Sequence, residues 1–165
     1  MHLREYRKTD AETILSWINS EREFRLWSAN RYGDYPILPE DITNNYFNCM
    51  QNSFFYPLTL EDDGRVIGHL IIRKQNENDD VIRLGFIIVD SSIRGKGYGK
   101  RIIEEAINYS QEHFDIHDFS LGVFTNNEGA YYCYKAVGFE QVGIEKDAYQ
   151  FYEESWDCAE LVLKR

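Results

Sequence analysis

Long apolar runs are missing from this chain. Nowhere do its hydrophobic residues approach the roughly 20 in succession that cross a bilayer, so no membrane partner is expected. Cysteine is scarce as well. Cys49, Cys133 and Cys158 are odd in number, widely spaced and free of any Cys-x-x-Cys pair, which reads as reduced thiols in a cytoplasmic protein rather than a disulfide framework. Positive charge is in short supply, with 18 Lys and Arg against 28 Asp and Glu and a net charge of −10. A chain of that sign does not neutralise a phosphate backbone, so no nucleic acid partner is expected. The opening Met1-His2-Leu3-Arg4-Glu5-Tyr6 lacks the apolar core of a secretory signal, again as expected of a cytoplasmic chain. No repeat, linker or low-complexity stretch divides the 165 residues, so one domain over 1–165 is expected. His113 and His117 are spaced four apart, but Asp115 lies between them where a helix ends and no third ligand follows. No metal is expected.

What the chain does have is the stretch Arg94-Gly95-Lys96-Gly97-Tyr98-Gly99-Lys100-Arg101. Four cations and no acid lie between Ser91 and Arg101. Before it runs Leu84-Gly85-Phe86-Ile87-Ile88-Val89, apolar and strand-like. After it come Ile102, Ile103, Ala106 and Ile107, at helical spacing. A strand that breaks into glycines and then opens a helix presents free backbone N–H groups at the positive end of a helix dipole, a site for phosphate oxygens. Two familiar phosphate loops are excluded. A Walker A loop needs Ser or Thr after Gly-Lys, and Arg101 stands there. A Rossmann fingerprint needs a small third residue where this chain has Ile102 or Lys100.

The remaining pattern predicts alternating elements: a strand at Leu3 to Tyr6, then a helix capped by Thr9 with Glu12 completing a capping box. That helix buries Ile14, Leu15 and Ile18 beside Trp17. A second helix covers Glu21 to Ser28, and a third starts at Leu38-Pro39-Glu40-Asp41. Phe54 to Glu61 and Arg65 to Lys74 form a hairpin about Asp62-Asp63-Gly64. The helix after the glycine loop ends near Phe114. Two strands follow from Phe119 and Phe139, and the last lies near Ala159 to Leu163.

A second motif, Asn127-Glu128-Gly129-Ala130-Tyr131-Tyr132-Cys133-Tyr134-Lys135-Ala136-Val137-Gly138-Phe139, follows the glycine loop with one strand between them. Together with Arg94, Gly97 and Gly99 it resembles the GNAT N-acetyltransferase family. The similarity is good from Val66 to Phe139 and in outline beyond. Leu3-Arg4-Glu5-Tyr6, Asp10-Ala11 and Trp17 are similar to a bacterial branch with ribosomal-protein and small-molecule acetyltransferases. The resemblance implies an α/β single domain with a mixed, mainly antiparallel central sheet flanked by helices. It implies acetyl-CoA as co-substrate, its pyrophosphate held by Arg94, Gly95, Lys96, Gly97, Tyr98, Gly99 and Lys100. In the family the strand before the loop bulges and pairs with pantetheine, a role that falls to Ile87, Ile88 and Val89. Gly85 is compatible with that bulge or with close packing. Asn127 opens the second motif beside the cofactor.

Acetyl transfer is attack by a neutral amine on a thioester. An alkylammonium of pKa about 10.4 must first lose a proton, which costs about 4.6 kcal/mol at pH 7. The departing thiolate then needs a proton or a hydrogen bond, and Tyr134 matches the family tyrosine that supplies it. Some relatives carry a glutamate base on the bulged strand, where this chain has Arg83. Arginine accepts no proton. Asp79, Asp80, Glu128, His69 or a water relay are the alternatives. The regions that frame the acceptor in the family are rich here in aromatics and acids, among them Glu153 and Glu154, so a cationic acceptor in an acidic pocket is expected. The expected partner is an amine-bearing small molecule or peptide, and a homodimer is admitted. Two rival classes remain open: a non-catalytic acyl-CoA sensor, and an enzyme for protein N-termini or lysines.

Overall fold

The computed structural model describes residues 1–165. Twelve elements follow in order: β1 (His2–Glu5), α1 (Asp10–Ser16), α2 (Glu21–Ser28), α3 (Pro39–Asn52), β2 (Phe55–Asp62), β3 (Arg65–Arg73), β4 (Val81–Val89), α4 (Tyr98–Phe114), β5 (Asp118–Phe124), α5 (Glu128–Val137), β6 (Glu140–Phe151) and β7 (Glu154–Leu163). The strands form one seven-stranded sheet in the order β1-β2-β3-β4-β5-β7-β6. Only β4 and β5 run parallel. The architecture is the mixed, mainly antiparallel α/β sheet expected. No helix is long and apolar enough to cross a membrane.

Strand alternation sends successive side chains to opposite faces of this sheet and builds two cores. On one face Leu58, Leu60, Leu70, Ile72, Ile82 and Leu84 pack with Ile102, Ile103, Ala106 and Ile107 of α4 and Tyr134 of α5. On the other, Phe55 and Ile71 pack with Phe24 of α2 and Ile42 and Tyr46 of α3. Helices α4 and α5 therefore cover one face, and α2 and α3 the other. The β2–β3 hairpin turns at Asp63 and Gly64, with φ of 47° and 78°. Two consecutive left-handed residues match the twist of the flanking strands.

Two local expectations change and one open alternative, at Gly85, is decided. Thr9 makes no side-chain cap. Asp10 instead ties the helix start to the preceding chain and the sheet, accepting from the Arg7 N–H at 2.8 Å and from Arg4 and Thr59. Burial alone would raise the Asp10 carboxyl, but these donors outweigh it and hold the group below its usual range. The bulge belongs to Phe86, whose φ is 49°, and the pairing of β3 with β4 slips between His69 and Ile71. Gly85 instead gives way to Ile71, whose side chain would lie 3.2 Å from an added Cβ. Finally, residues 140–163 form one long β6–β7 hairpin, longer at both strands than the sequence pattern indicates. Every β6 residue from Glu140 to Asp147 is exposed, so no alternation marks it.

Candidate active site

Between β4 and β5 the sheet parts. Their parallel ladder joins only Val81 to Asp118, Ile82 to Phe119 and Arg83 to Ser120, so from Leu84 to Val89 the β5-facing edge of β4 is unpaired. The Phe86 bulge directs this divergence. Trp27 of α2 holds it by donating from Nε1 to the Phe86 carbonyl at 2.9 Å, and the Phe86 ring meets Trp27 edge-on at 5.3 Å. A cavity of about 820 Å³ fills the opening. Ile87, Ile88 and Val89 line it.

At the end of β4 the chain makes its glycine turn. Gly95 and Gly97 have φ of 77° and 87°, a region that favours glycine. Gly97 is the residue before α4, and no side chain caps the helix, so the first-turn N–H groups are free for an anion. An added Cβ at Gly95 or Gly97 would meet nothing within 4 Å, whereas at Gly99 it would lie 3.2 Å from Cys133 Sγ. The turn is therefore bare for a ligand and closed against α5. Arg94, Gly95, Gly97, Gly99 and Lys100 line the cavity; Lys96 and Tyr98 do not. Tyr98 packs on the main core instead. Arg94 donates to the Trp17 carbonyl at 3.3 Å and lies 3.8 Å from Glu23, tying the turn to α1 and α2.

Across the opening stand Asn127, Ala130, Cys133 and Tyr134 of the second motif. Asn127 precedes α5, its carbonyl accepting from the Tyr131 N–H at 3.0 Å. Tyr134 is buried, and burial pushes its phenol well above the usual value. The side-chain polar atoms sealed without a partner are Tyr32 Oη, His69 Nδ1 and Trp156 Nε1. Tyr134 Oη is not among them, in keeping with its place on the cavity wall. Burial also raises the Cys133 and Cys158 thiols, which makes both poor nucleophiles at neutral pH.

None of the alternative bases reaches this cavity. Asp79, Asp80 and Glu128 lie outside its lining, and Glu23 is its single acid. His69 is fully buried, its Nε2 2.8 Å from Tyr46 Oη. Burial pushes its imidazole down to about 3, so it stays neutral in the fold while the unfolded chain protonates near pH 6.5. The unfolded state then binds more protons between those limits, and stability falls as pH falls through them, by up to about 1.4 kcal/mol per pH unit. Thermal melts should show that slope between pH 6 and 4. His69→Gln should flatten it, and an unchanged slope would show that His69 is not its source.

The cavity is not the acidic pocket expected. Arg31, Arg73 and Arg83 join Arg94 and Lys100 in the cavity wall against Glu23 alone. Neither Glu153 nor Glu154 lines it, and Glu154 is paired with Arg22 at 2.6 Å. Arg83 is clamped by Glu160 at 2.5 and 3.0 Å. Its guanidinium occupies the space where a Gly122 side chain would come within 2.9 Å. Sequence reasoning missed Arg31, Arg73, Glu23 and Glu160. A cation two positions after Ile71 on an alternating strand was the one available signal.

A sheet opened along one strand, beside a glycine turn that starts a helix, is the frame of an acyltransferase that draws its acyl group from a CoA thioester. The chain belongs to the acetyltransferase (GNAT) family, whose model matches residues 14–139. It is 30% identical over 100 residues to the N-acetylaspartate synthetase of Xenopus tropicalis. That match covers 60% of this chain and 35% of the synthetase, so the chain spans about a third of that relative. The spermidine N-acetyltransferase of Vibrio cholerae, solved with CoA and spermine, superposes with a TM-score of 0.82 at 20% identity, over 98% of this chain and 94% of that one. A ribosomal-protein-alanine N-acetyltransferase from Brucella melitensis gives 0.76 at 19% identity over the whole of both chains. These two likenesses establish the fold.

Proposed function

We propose that this chain transfers the acetyl group of acetyl-CoA to a primary amine by direct attack within a ternary complex. The observation that carries the reading is the continuity of one cavity from the glycine turn, past the unpaired edge of β4, to Tyr134 and the far face of the sheet. The residues fit the co-substrate. Bare Gly95 and Gly97, with the free N–H groups of α4, suit a pyrophosphate, and Arg94 and Lys100 add charge. Lys96 contributes from solvent, and Tyr98 anchors the helix start. The unpaired backbone of Ile87, Ile88 and Val89 suits the two amides of pantetheine, with Asn127 and Ala130 opposite. The Tyr134 hydroxyl faces the departing sulfur. Because burial keeps this phenol protonated, it donates a hydrogen bond to the thiolate rather than surrendering its proton.

The one carboxylate of the cavity, Glu23, lies beside Arg94 at the glycine turn, so a water relay carries the amine proton away. The field of Arg31, Arg73 and Arg83 favours a neutral amine, since like charge disfavours an ammonium. The relatives act on different amines by their names: N-acetylaspartate synthetase, spermidine N-acetyltransferase and ribosomal-protein-alanine N-acetyltransferase. Initial rates with both substrates varied should give intersecting lines. Parallel lines would instead indicate an acyl-enzyme, with Cys133 or Cys158 as nucleophile, and would contradict direct attack.

A further inference from the structure

Arg73 and Arg83 sit directly opposite one another on β3 and β4. Like charges at facing positions of an antiparallel pair destabilise it. Both side chains share the face of Ile71, away from α4, because their neighbours Ile72, Ile82 and Leu84 belong to the other core. Glu160 neutralises Arg83 through two hydrogen bonds. Arg73, half-buried in the same cavity wall, takes part in none of the ion pairs or side-chain hydrogen bonds of the fold. Burial first, then the charges of Arg83 and Arg31, push its guanidinium down from the usual value. Arg31, the third member, lies over the Phe86 ring with its guanidinium carbon 4.5 Å from the centroid, and donates to Asn45 Oδ1 at 3.3 Å. No carboxylate of the chain is paired with it. Two uncompensated guanidinium groups therefore line one wall of a cavity whose single acid, Glu23, is beside Arg94 at the glycine turn.

We infer that Arg73, with Arg31 beside it, binds a carboxylate of the acceptor, so that the acceptor is an amino acid or similar carboxylated amine rather than a polyamine. The inference rests on the acetyl-transfer reading for its amine and on the arginine arrangement for its carboxylate. A planar fork of donors matches a carboxylate in two parallel hydrogen bonds. A bound carboxylate would also compensate Arg73, which no acid of the chain pairs as Glu160 pairs Arg83. Bulk charge works against such a ligand, since the chain carries −10, so the local cations must supply the attraction. A polyamine would meet them as like charge.

The test separates this inference from the transfer reaction. Succinate, which has carboxylates but no amine, is titrated into the CoA-saturated protein by calorimetry, and CoA itself is titrated in parallel. Succinate should bind, and Arg73→Gln should weaken it about 10- to 100-fold, with Arg73→Lys recovering part of the loss and CoA affinity unchanged in both. Removing one of two facing cations should leave Tm unchanged or raised, so a fall in binding does not reflect unfolding. When release of CoA thiol from acetyl-CoA is followed, L-aspartate should be preferred to spermidine, and Arg73→Gln should raise its KM by a similar factor. Absent succinate binding, equal binding by Arg73→Gln, or a preference for spermidine would overturn the inference. Loss of CoA binding alone would strike the acetyl-transfer reading and leave the carboxylate site standing.

Discussion

Tyr134→Phe is expected to lower kcat about 10²- to 10³-fold while leaving acetyl-CoA affinity nearly unchanged. The physical reason lies in the placement of the hydroxyl. It stands on the cavity wall, its ring buried against Phe139 and its oxygen outside the set of sealed polar atoms. Sulfur carries little charge in the thioester and a full one as it departs, so a donor aimed at it acts on the transition state. Phenylalanine keeps the ring and its packing and deletes only that donor. Burial raises the phenol well above its usual value, so the rate should show no loss from tyrosine ionisation at any pH below about 10. Single-turnover and steady-state kinetics read both effects. Wild-type turnover in Tyr134→Phe would return the residue to the packing of α5.

Gly97→Val should remove CoA binding measurable by calorimetry. Gly97 has a φ of 87°, and a β-branched side chain resists that region by about 1–2 kcal/mol or more. To escape it the turn must rotate, which re-aims the first N–H groups of α4. Two charge-assisted hydrogen bonds lost to phosphate are worth about 3 kcal/mol, about a hundredfold in affinity. The effect is not a collision inside the protein, since a Cβ there has nothing within 4 Å. Gly99→Val differs, because its side chain would press on Cys133 Sγ and drive α4 from α5. Comparing Tm in the two variants separates a lost anion site from lost packing. Unchanged CoA affinity in Gly97→Val would remove the glycine turn from the site.

The parts of this site written in local sequence were readable. The glycines, the cations between them and the helical spacing from Ile102 are contiguous, and the structure keeps them as turn and helix. So too for Asp62-Asp63-Gly64 and for the Pro39 helix start, where chemistry within a few residues decides the conformation. What escaped reading depends on partners far along the chain. Phe86 has a positive φ, and Trp27, 59 residues away, holds its carbonyl; no residue beside Phe86 announces either. The facing of Arg73 and Arg83 follows from a register that the same bulge shifts. The acidic pocket failed for a related reason. Glu153 and Glu154 read as charge facing the acceptor in a net-negative chain, yet neither lines the cavity and Arg22 engages Glu154, while Arg31 and Arg73 enter the cavity from segments of no distinctive composition. Asp10 similarly draws on Arg4 and on the distant Thr59, while Thr9 makes no side-chain cap.

One measurement bears most directly on the central claim: release of free CoA thiol from acetyl-CoA, followed with and without a primary amine, with the amine product weighed by mass spectrometry. The account predicts slow release alone, rapid release with an amino acid acceptor, and one acetyl group gained on the acceptor nitrogen. Tight CoA binding with no amine-dependent release, across amino acids, polyamines and peptides, would contradict it and leave an acyl-CoA sensor in its place.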